Sequence, residues 1–527
     1  MSKIIGFTIS KNKISHSDID VFNVGLSKLE YSKNGFNIYL WGIGDLKEFE
    51  NKYKISLSFP KNESLLDRNV LINFENNKIT IENDWLASIP VFYNKKDLIV
   101  STLSLKCLTD KTIDQEGLQN FMEFGYSVFE HTMFSSVKFL RFYSKLAISD
   151  FKFEIEYKKD PIIEEFGKNN IVDEEEVISE IDLYLSDIEN NTKGKIIIPT
   201  SGGYDSRLLN YFVKDKSRVR SFTYGGSKNQ AKSKEVYYAE KLSEILNTKW
   251  QHIKLDDYFK YFNDWFKTFG FSTHLHGMYH IDFFKKIRKS EKFDKSVFLL
   301  SGIVGDAWAG KNYKFEINTH KDIYKLGLSH GVNLNLKYSK LNVDENIKKD
   351  FFKNNKNEIQ NSGLQTITFI RIKMILLSYL MQLPEYFGFI SYTPFLNFNI
   401  VTKMFKISGK RRENRKWQTD FFVKNNIDLN SMNLNGTNSN TLDIDTFKIS
   451  KFELIETENL EKYIDKKQLQ KINSKIKKIS FIDNFKNMLL TTPKIKGVCQ
   501  LLGIKSNTRQ AIFEYYIIKA IEKSIKE

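Results

Sequence analysis

The segment Ile196–Leu209, IIIPTSGGYDSRLL, constrains this chain more than any other stretch: apolar β-formers run straight into two glycines, two serines and an aspartate. The apolar run reads as a buried parallel strand, and SRLLNYFV after it as a helix opened by an N-cap at Ser206. The corner between them is a strand-to-helix turn. Gly202 and Gly203 let the backbone approach a ligand, Ser201 and Ser206 supply hydroxyls, and the free N–H groups at the helix start favour an anion, so phosphate is the natural occupant. Asp205 would repel a bare phosphate, and its presence predicts a bridging divalent cation, Mg2+. A glycine corner without a ligand is the bland alternative, but hydroxyls, glycines and carboxylate all fit one chemistry.

Composition narrows the class. The 527 residues carry no low-complexity tract and predict two or three domains. The longest apolar stretch, MILLSYLMQLPEYFGFI from Met374, is interrupted by Gln382, Pro384 and Glu385, which predicts a buried helix ended by proline and no membrane span. No secretory signal opens the chain. Two cysteines, Cys107 and Cys499, exclude a disulfide framework and a CxxC metal site, and suit a reducing cytoplasm. The formal charge of +16 is nearly all lysine spread among Asn and Ile, so nucleic acid is not expected as a partner. The densest basic segments are GKRRENRK at Gly409 and the tail after Lys462; the first reads as a solvated face or a phosphate clamp.

Short alternating strands and polar turns fill Met1 to Ser149, with a helix at Asp114–Phe124. From Asp173 strand and helix alternate: KIIIP, the helix after Ser206, VRSFTYGG, a helix at Ser233–Leu246, WQHIKL and SVFLLSG, the pattern of a parallel-sheet nucleotide-binding domain. GTNSNTLD at Gly436 is the clearest loop of the last third, followed by a Lys-rich, helical stretch. Expected domains are 1–150, 165–430 and a basic helical extension, 431–527.

SGGYDS resembles the SGGxDS pyrophosphate loop of the ATP pyrophosphatases, which split ATP into AMP and pyrophosphate; no Walker GK[ST] follows. DWLASIPVFYNKKDLIVSTLSLKCL, FMEFGYSVFEHTMFSSVKFL, SFTYGG, KEVYYAEKLSEIL, LLSGIVGDAWAG and TPFLNFNIV resemble segments of the asparagine synthetase family, in that family's order and up to about Asn425. The resemblance implies an α/β fold: an N-terminal Ntn-hydrolase-like αββα sandwich, then a parallel-sheet ATP-pyrophosphatase domain with a helical C-terminal part. It also implies adenylation of a small-molecule carboxylate by ATP, then displacement of AMP by an amine. Ser201, Gly202, Gly203 and Ser206 would contact pyrophosphate, and Asp205 and Asp306 would share Mg2+. Thr200, Tyr224, Ser301 and Gly302 would surround the adenosine. Lys416 in RKWQTDFF aligns with a phosphate-binding lysine, with Arg415 beside it leaving the register open.

The departures from the family are informative. In MSKIIG, Ser2 stands where the family's glutaminase has its nucleophilic cysteine and Lys3 where it has glycine. No HRGPD-like or NGEIYN-like stretch is found, so the N-terminal domain is expected to be catalytically silent. In SGIVGDAWAG, Ile303 takes the place of a glutamate thought to help the incoming ammonia lose a proton, and Ala307 that of the second acid; isoleucine cannot move a proton. Ile390 and Tyr392 replace charged residues before the PFLD-like segment. Glu385, Tyr386 and Tyr392 are acceptor-side candidates, and His274, His276 and His280 a polar wall or, less favoured, a metal site. The leading expectation is an amide ligase using ammonia or an amine directly, on a glycan uronic acid, an amino-acid-derived carboxylate or a peptide side chain. An intramolecular cyclase of the beta-lactam synthetase or lasso-peptide type is the runner-up. A tRNA-thiolating enzyme is disfavoured by the lack of paired cysteines, and a non-catalytic regulator by the intact loop. A homodimer is left open.

Overall fold

The computed structural model describes residues 2–526 except 18, 59–62, 169, 291–296, 311–314, 329–330, 433, 439, 478–488, 491–494, 496–497, 499–500 and 502–506. Cys107 is buried with a free thiol, and Cys499 lies outside the described residues.

Two antiparallel sheets make the N-terminal part. β1 (Lys3–Ser10), β2 (Ser27–Lys33) and β3 (Phe36–Ile43) pair in one sheet with β7 (Phe92–Asn94), β8 (Ile99–Ser101) and β9 (Lys138–Phe139), in the order β2-β3-β1-β8-β7-β9. β4 (Lys54–Ser56), β5 (Val70–Glu75), β6 (Lys78–Asn83), β10 (Ser144–Ser149) and β11 (Lys152–Tyr157) form the other, β11-β10-β6-β5-β4. Asn34 and Gly35 close the β2–β3 hairpin with positive φ at both positions (51° and 74°), as a two-residue type I′ turn requires. Phe7, Ile9 and Leu40 meet Ile72, Ile79 and Leu146 in a core between the sheets. A register shift between Ile4 and Gly6 breaks the alternation of β1, so that Ile4 shares this core while Ile5 joins the larger one.

The two β layers lack the flanking helices expected of the sandwich: among the described residues before α1 (Gln115–Phe124) only short 3-10 turns occur. The outward residues Ile5, Trp41 and Phe92 are buried instead against later chain, in a cluster that includes Phe121 of α1 and Phe269 and Phe271. An apolar sheet face has to be covered by something, and here the rest of the molecule covers it.

The second half is an all-parallel sheet of β12 (Ile196–Pro199), β13 (Val219–Thr223), β14 (Lys249–His252), β15 (Val297–Leu300) and β16 (Phe389–Tyr392), ordered β14-β13-β12-β15-β16. Ile196, Ile197 and Ile198 are fully buried, as befits a central strand covered on both faces. α2 (Glu174–Asn191) precedes the sheet, and the crossovers carry α3 (Tyr204–Phe212), α4 (Lys234–Leu246) and α5 (Tyr279–Ser290). Later helices include α6 (Gly305–Ala309), α7 (Asn346–Asn354), α8 (Ser362–Leu377), α9 (Tyr379–Tyr386), α10 (Lys416–Lys424) and α11 (Asn507–Lys526). β13 and β15 flank β12, so the strand order reverses there, and a ligand crevice is expected beyond the carboxyl ends of β12 and β15.

The apolar stretch of α8 and α9 is long enough by composition to cross a membrane, yet 67% of its window is buried inside the protein, as a core helix would be. Pro384 does not end it: the break falls at Ser378, Pro384 sits inside α9, and the chain leaves at Gly388 with φ 79°. The Lys-rich C-terminal segment ends in α11, whose Tyr516, Ile517 and Ile521 are wholly buried in the main core.

One ion cluster ties the first strand to α9. Glu385 accepts a hydrogen bond from Lys3 at 2.5 Å and a bidentate pair from Arg68 at 2.8 and 2.9 Å, all three side chains being buried. Burial by itself would raise the Glu385 carboxyl, but Arg68 and Lys3 outweigh it and hold the group below the ordinary carboxylate range. A depressed carboxylate contributes stability that is fully present above its unfolded value of about 4.3 and is lost as pH falls through the folded one. Glu385→Gln leaves two buried cations unpaired and is expected to cost about 3–5 kcal/mol at neutral pH in urea denaturation, the gap to wild type narrowing in acid. A loss below about 1 kcal/mol would reduce the cluster to the worth of a surface pair.

Candidate functional site

α3 opens at Tyr204 with Gly203 in the N-cap position; Ser206 lies in the first turn, three places past the cap, and donates back to the Gly203 carbonyl at 3.2 Å. Gly202 has φ 69°, and a Cβ there would stand 2.3 Å from Cβ of Tyr238, so conformation and space both exclude a side chain. Arg207, on the buried side of α3, donates to the carbonyls of Gly202 (2.9 Å) and Ile427 (3.2 Å) and fixes one peptide plane of the loop. Its guanidinium packs on the rings of Tyr204 and Phe422. Burial lowers it to about 10, which leaves it charged at neutral pH.

The loop after β15 lies directly against Asp205. A Cβ on Gly302 would be 2.9 Å from Cβ of Asp205 and 3.4 Å from the Ser206 nitrogen; one on Gly305 would be 2.7 Å from the Asp205 carboxylate. Asp306 follows in α6. Behind this loop Trp308 donates to the Phe395 carbonyl at 2.8 Å, holding the 394–397 turn against Gly305. Among the described residues no group of three or more His, Cys, Asp or Glu is placed to hold a metal. The cradle therefore offers carboxylates from two touching loops and leaves other positions to phosphate and water, the coordination Mg2+ favours, so the donor set fits that ion.

These loops form two walls of a cleft of ≈ 650 Å³, reached by Ser201, Gly202, Gly203, Asp205 and Ser206 on one side and Ser301, Gly302, Ile303 and Asp306 on the other. Three residues expected here do not line it. Thr200 is buried behind the loop, donating to the Ile198 carbonyl at 2.9 Å and accepting from Asn210 at 3.0 Å. Tyr224 packs its ring against Tyr279, His280 and Phe283. Lys416 is exposed and does not line the cleft, while Arg415 does. Asn414 and Arg415 both adopt left-handed backbone (φ 50° and 59°), a strained pair that swings Arg415 over the Tyr204 ring at 4.2 Å.

Other wall residues carried no sequence signal. Asn430 donates to the Tyr204 hydroxyl at 2.9 Å. Asn438 arrives on a loop sewn to the β13–α4 connection: Thr437 donates to the Lys232 carbonyl (2.8 Å), Lys234 to that of Thr437 (3.1 Å) and Thr441 to that of Gly226 (2.8 Å). Only Arg207 could have been singled out, as a lone cation on the apolar face of a helix.

The acceptor-side candidates lie elsewhere. Glu385 is taken up by Lys3 and Arg68, and Tyr386 accepts from Trp41 at 3.3 Å. Tyr392 borders a separate small cavity beside Lys3 and Asp67. His276 faces Asp443 at 3.4 Å, a carboxylate that also accepts from Tyr258 (3.0 Å) and Tyr516 (2.8 Å), and burial drives His280 down to about 3. None of these side chains lines the cleft.

Fold and site together define a mixed α/β protein with a carboxylate-bearing cleft at the switch point of a parallel sheet and a helical C-terminal part. No family model matches the chain, and no curated protein matches it. Among solved structures, the NH3-dependent NAD synthetase from Campylobacter jejuni subsp. jejuni NCTC 11168, in complex with the nitrate ion, is 14% identical, with 39% of this chain and 96% of that chain covered and a TM-score of 0.21. A likeness of that size carries no weight for the site.

Because Arg415 and not Lys416 lines the cleft, if the cleft takes a phosphate ligand such as Mg2+-ATP, Arg415→Ala should weaken its binding by about tenfold or more, as loss of a charge-assisted phosphate contact does, whereas Lys416→Ala should stay within about twofold. Titration calorimetry on both variants checks this, and the reverse order would restore Lys416.

Proposed function

We propose that the chain is an ATP-dependent, AMP-forming carboxylate–amine ligase resembling the asparagine synthetases. The observation that carries this is the contact of the two loops: Gly302 and Gly305 press on Asp205 with no room for a Cβ, bringing Asp205 and the Asp306 loop to one edge of a cleft that also holds Ser201, Ser206 and Arg415.

Mg2+ held by Asp205 and Asp306 would neutralise charge on the phosphates. Ser201, Ser206 and the amide groups of the Gly202–Gly203 turn hold the β- and γ-phosphates at the N-terminus of α3. Arg415, steadied on the Tyr204 ring, meets the charge that grows on departing pyrophosphate. A substrate carboxylate oxygen then attacks the α-phosphorus, the α–β bridging bond breaks, and an acyl-adenylate remains. An amine nitrogen adds to the acyl carbon, loses a proton and expels AMP. Ile303 lines the cleft as an apolar group and cannot take that proton. An amine carried on a larger molecule, oriented by its other contacts, suits such a site better than free ammonium. The N-terminal sandwich, proposed to be Ntn-hydrolase-like, serves as a silent partner: Lys3, next to Ser2, is spent on Glu385.

The test is pyrophosphate release from ATP across a panel of carboxylates, with mass spectrometry of the products formed with ammonium and with primary amines. Asp205→Asn should lower carboxylate-dependent release by at least about a hundredfold, the scale of lost electrostatic stabilisation, with the melting temperature unchanged. Turnover of Asp205→Asn near wild type would overturn the assignment. Ser2→Ala should leave product formation unaltered and glutamine should not donate nitrogen; glutamate released in step with product would revive a glutaminase.

A further inference from the structure

A second cavity, ≈ 430 Å³, lies between the N-terminal sandwich and helices α7 and α8, and it shares no wall residue with the cleft. That volume is in the range of small-molecule sites. Its apolar wall is aromatic, with Phe129, Phe139, Phe142 and Phe351. Asp160, Arg371 and His131 on its wall already have partners. Asp160 receives Arg371 through two bonds (2.5 and 2.9 Å), with that guanidinium 3.6 Å from the Phe142 ring centroid, and His131 faces Asp114 at 3.2 Å.

Arg141 and Glu130 are different. Both are half-buried on the cavity wall, and neither has an ion-pair partner among the described residues. Arg141 sits 4.5 Å from the Phe142 centroid and 5.4 Å from that of Tyr157. Glu130 accepts the Tyr157 hydroxyl at 2.9 Å. The Tyr157 ring thus contacts both a cation and an anion of one cavity that form no ion pair with each other, Arg141 also acting on Asp160 at longer range. Holding Glu130 there takes strained backbone: Phe129 and Glu130 are consecutive non-glycine residues at φ 56° and 66°, and Ala87, also on the wall, is at φ 55°.

From this geometry we propose that the cavity binds a free α-amino acid with an apolar side chain. Its carboxylate meets the guanidinium of Arg141, its ammonium meets Glu130, and its side chain lies among the phenylalanine rings. Asp350 and Glu358 on the same wall add negative potential, which favours the zwitterion over a dicarboxylate.

Titration calorimetry of the full chain without ATP, using L-phenylalanine and L-leucine, tests the site. At least one should bind, and Arg141→Gln and Glu130→Gln should each weaken it by about tenfold or more while Asp205→Asn keeps it within about twofold. On wild-type protein, N-acetyl-L-phenylalanine and L-phenylalaninamide, each lacking one charge, should bind about tenfold more weakly, a comparison that stands even where a variant misfolds. Failure of both amino acids to bind up to about 10 mM overturns the proposal. So does wild-type affinity in both cavity variants, equal binding of the blocked derivatives, or loss of binding in Asp205→Asn, which would put the amino acid in the ATP cleft. Since no nucleotide is present, a negative result here leaves the ligase reading untouched.

Discussion

The cleft hangs on a buried guanidinium. Arg207 ties the Gly202 carbonyl, in the loop after the central strand, to the Ile427 carbonyl, more than two hundred positions on, with Asp428 at 3.9 Å. Tyr204 and Phe422 close over it. Without it two carbonyls would be buried with no donor, each costing about 1–3 kcal/mol. The loop would also lose its tie to the C-terminal wall residues Asn430 and Arg415, which both lean on Tyr204 one turn above. A loop whose glycine must stay left-handed against Tyr238 has little slack, so a cation beneath it decides where the cleft-facing groups stand.

What could be read from the chain was what local chemistry determines. Ile196–Ile198 against a Gly-Gly corner read as a buried strand meeting a helix, the helix expected at Ser233–Leu246 lies at Lys234–Leu246, and the strand read in VRSFTYGG stops three residues early, at Thr223. The hidden parts are those that tertiary contacts decide. Nothing local distinguishes Arg415 from Lys416; the distinction comes from two left-handed residues set between the Tyr204 ring and a buried Trp417, which donates to the Ala309 carbonyl at 2.9 Å. Asn438 is one polar residue among many in a loop, and it matters because Thr437 and Thr441 stitch that loop to Lys232 and Gly226. Pro384 was expected to stop a helix, and instead the tight turn from Phe387 back to its carbonyl (2.9 Å) takes up the exit.

The acidic and aromatic residues near the end of α9 show how a functional-looking motif can be consumed by assembly. Glu385 and Tyr386 have the composition of a proton-moving pair, yet one neutralises Lys3 and Arg68 and the other caps the Trp41 indole. Both bonds cross from the parallel-sheet part to the sandwich. The sandwich is thereby fastened through charge and hydrogen bonding as well as through the apolar face of its first sheet, which explains how its β layers stand without helices of their own.

The span of the Lys3–Glu385 bond sets an order of events during synthesis. The two residues are 382 positions apart, so at about 5–20 residues per second roughly 20–80 s separate their emergence from the ribosome. The hairpin of β2 and β3 and its pairing with β1 are local and can form early, but for that interval the sheet carries a lysine facing the side that will later be buried, and the neighbouring apolar face has no cover. A solvated charge within an uncovered apolar sheet face opposes burial of that face against another chain. Lys3 thus acts twice, first as a solvated guard on a half-made protein and then, once Glu385 arrives, as part of its fastening.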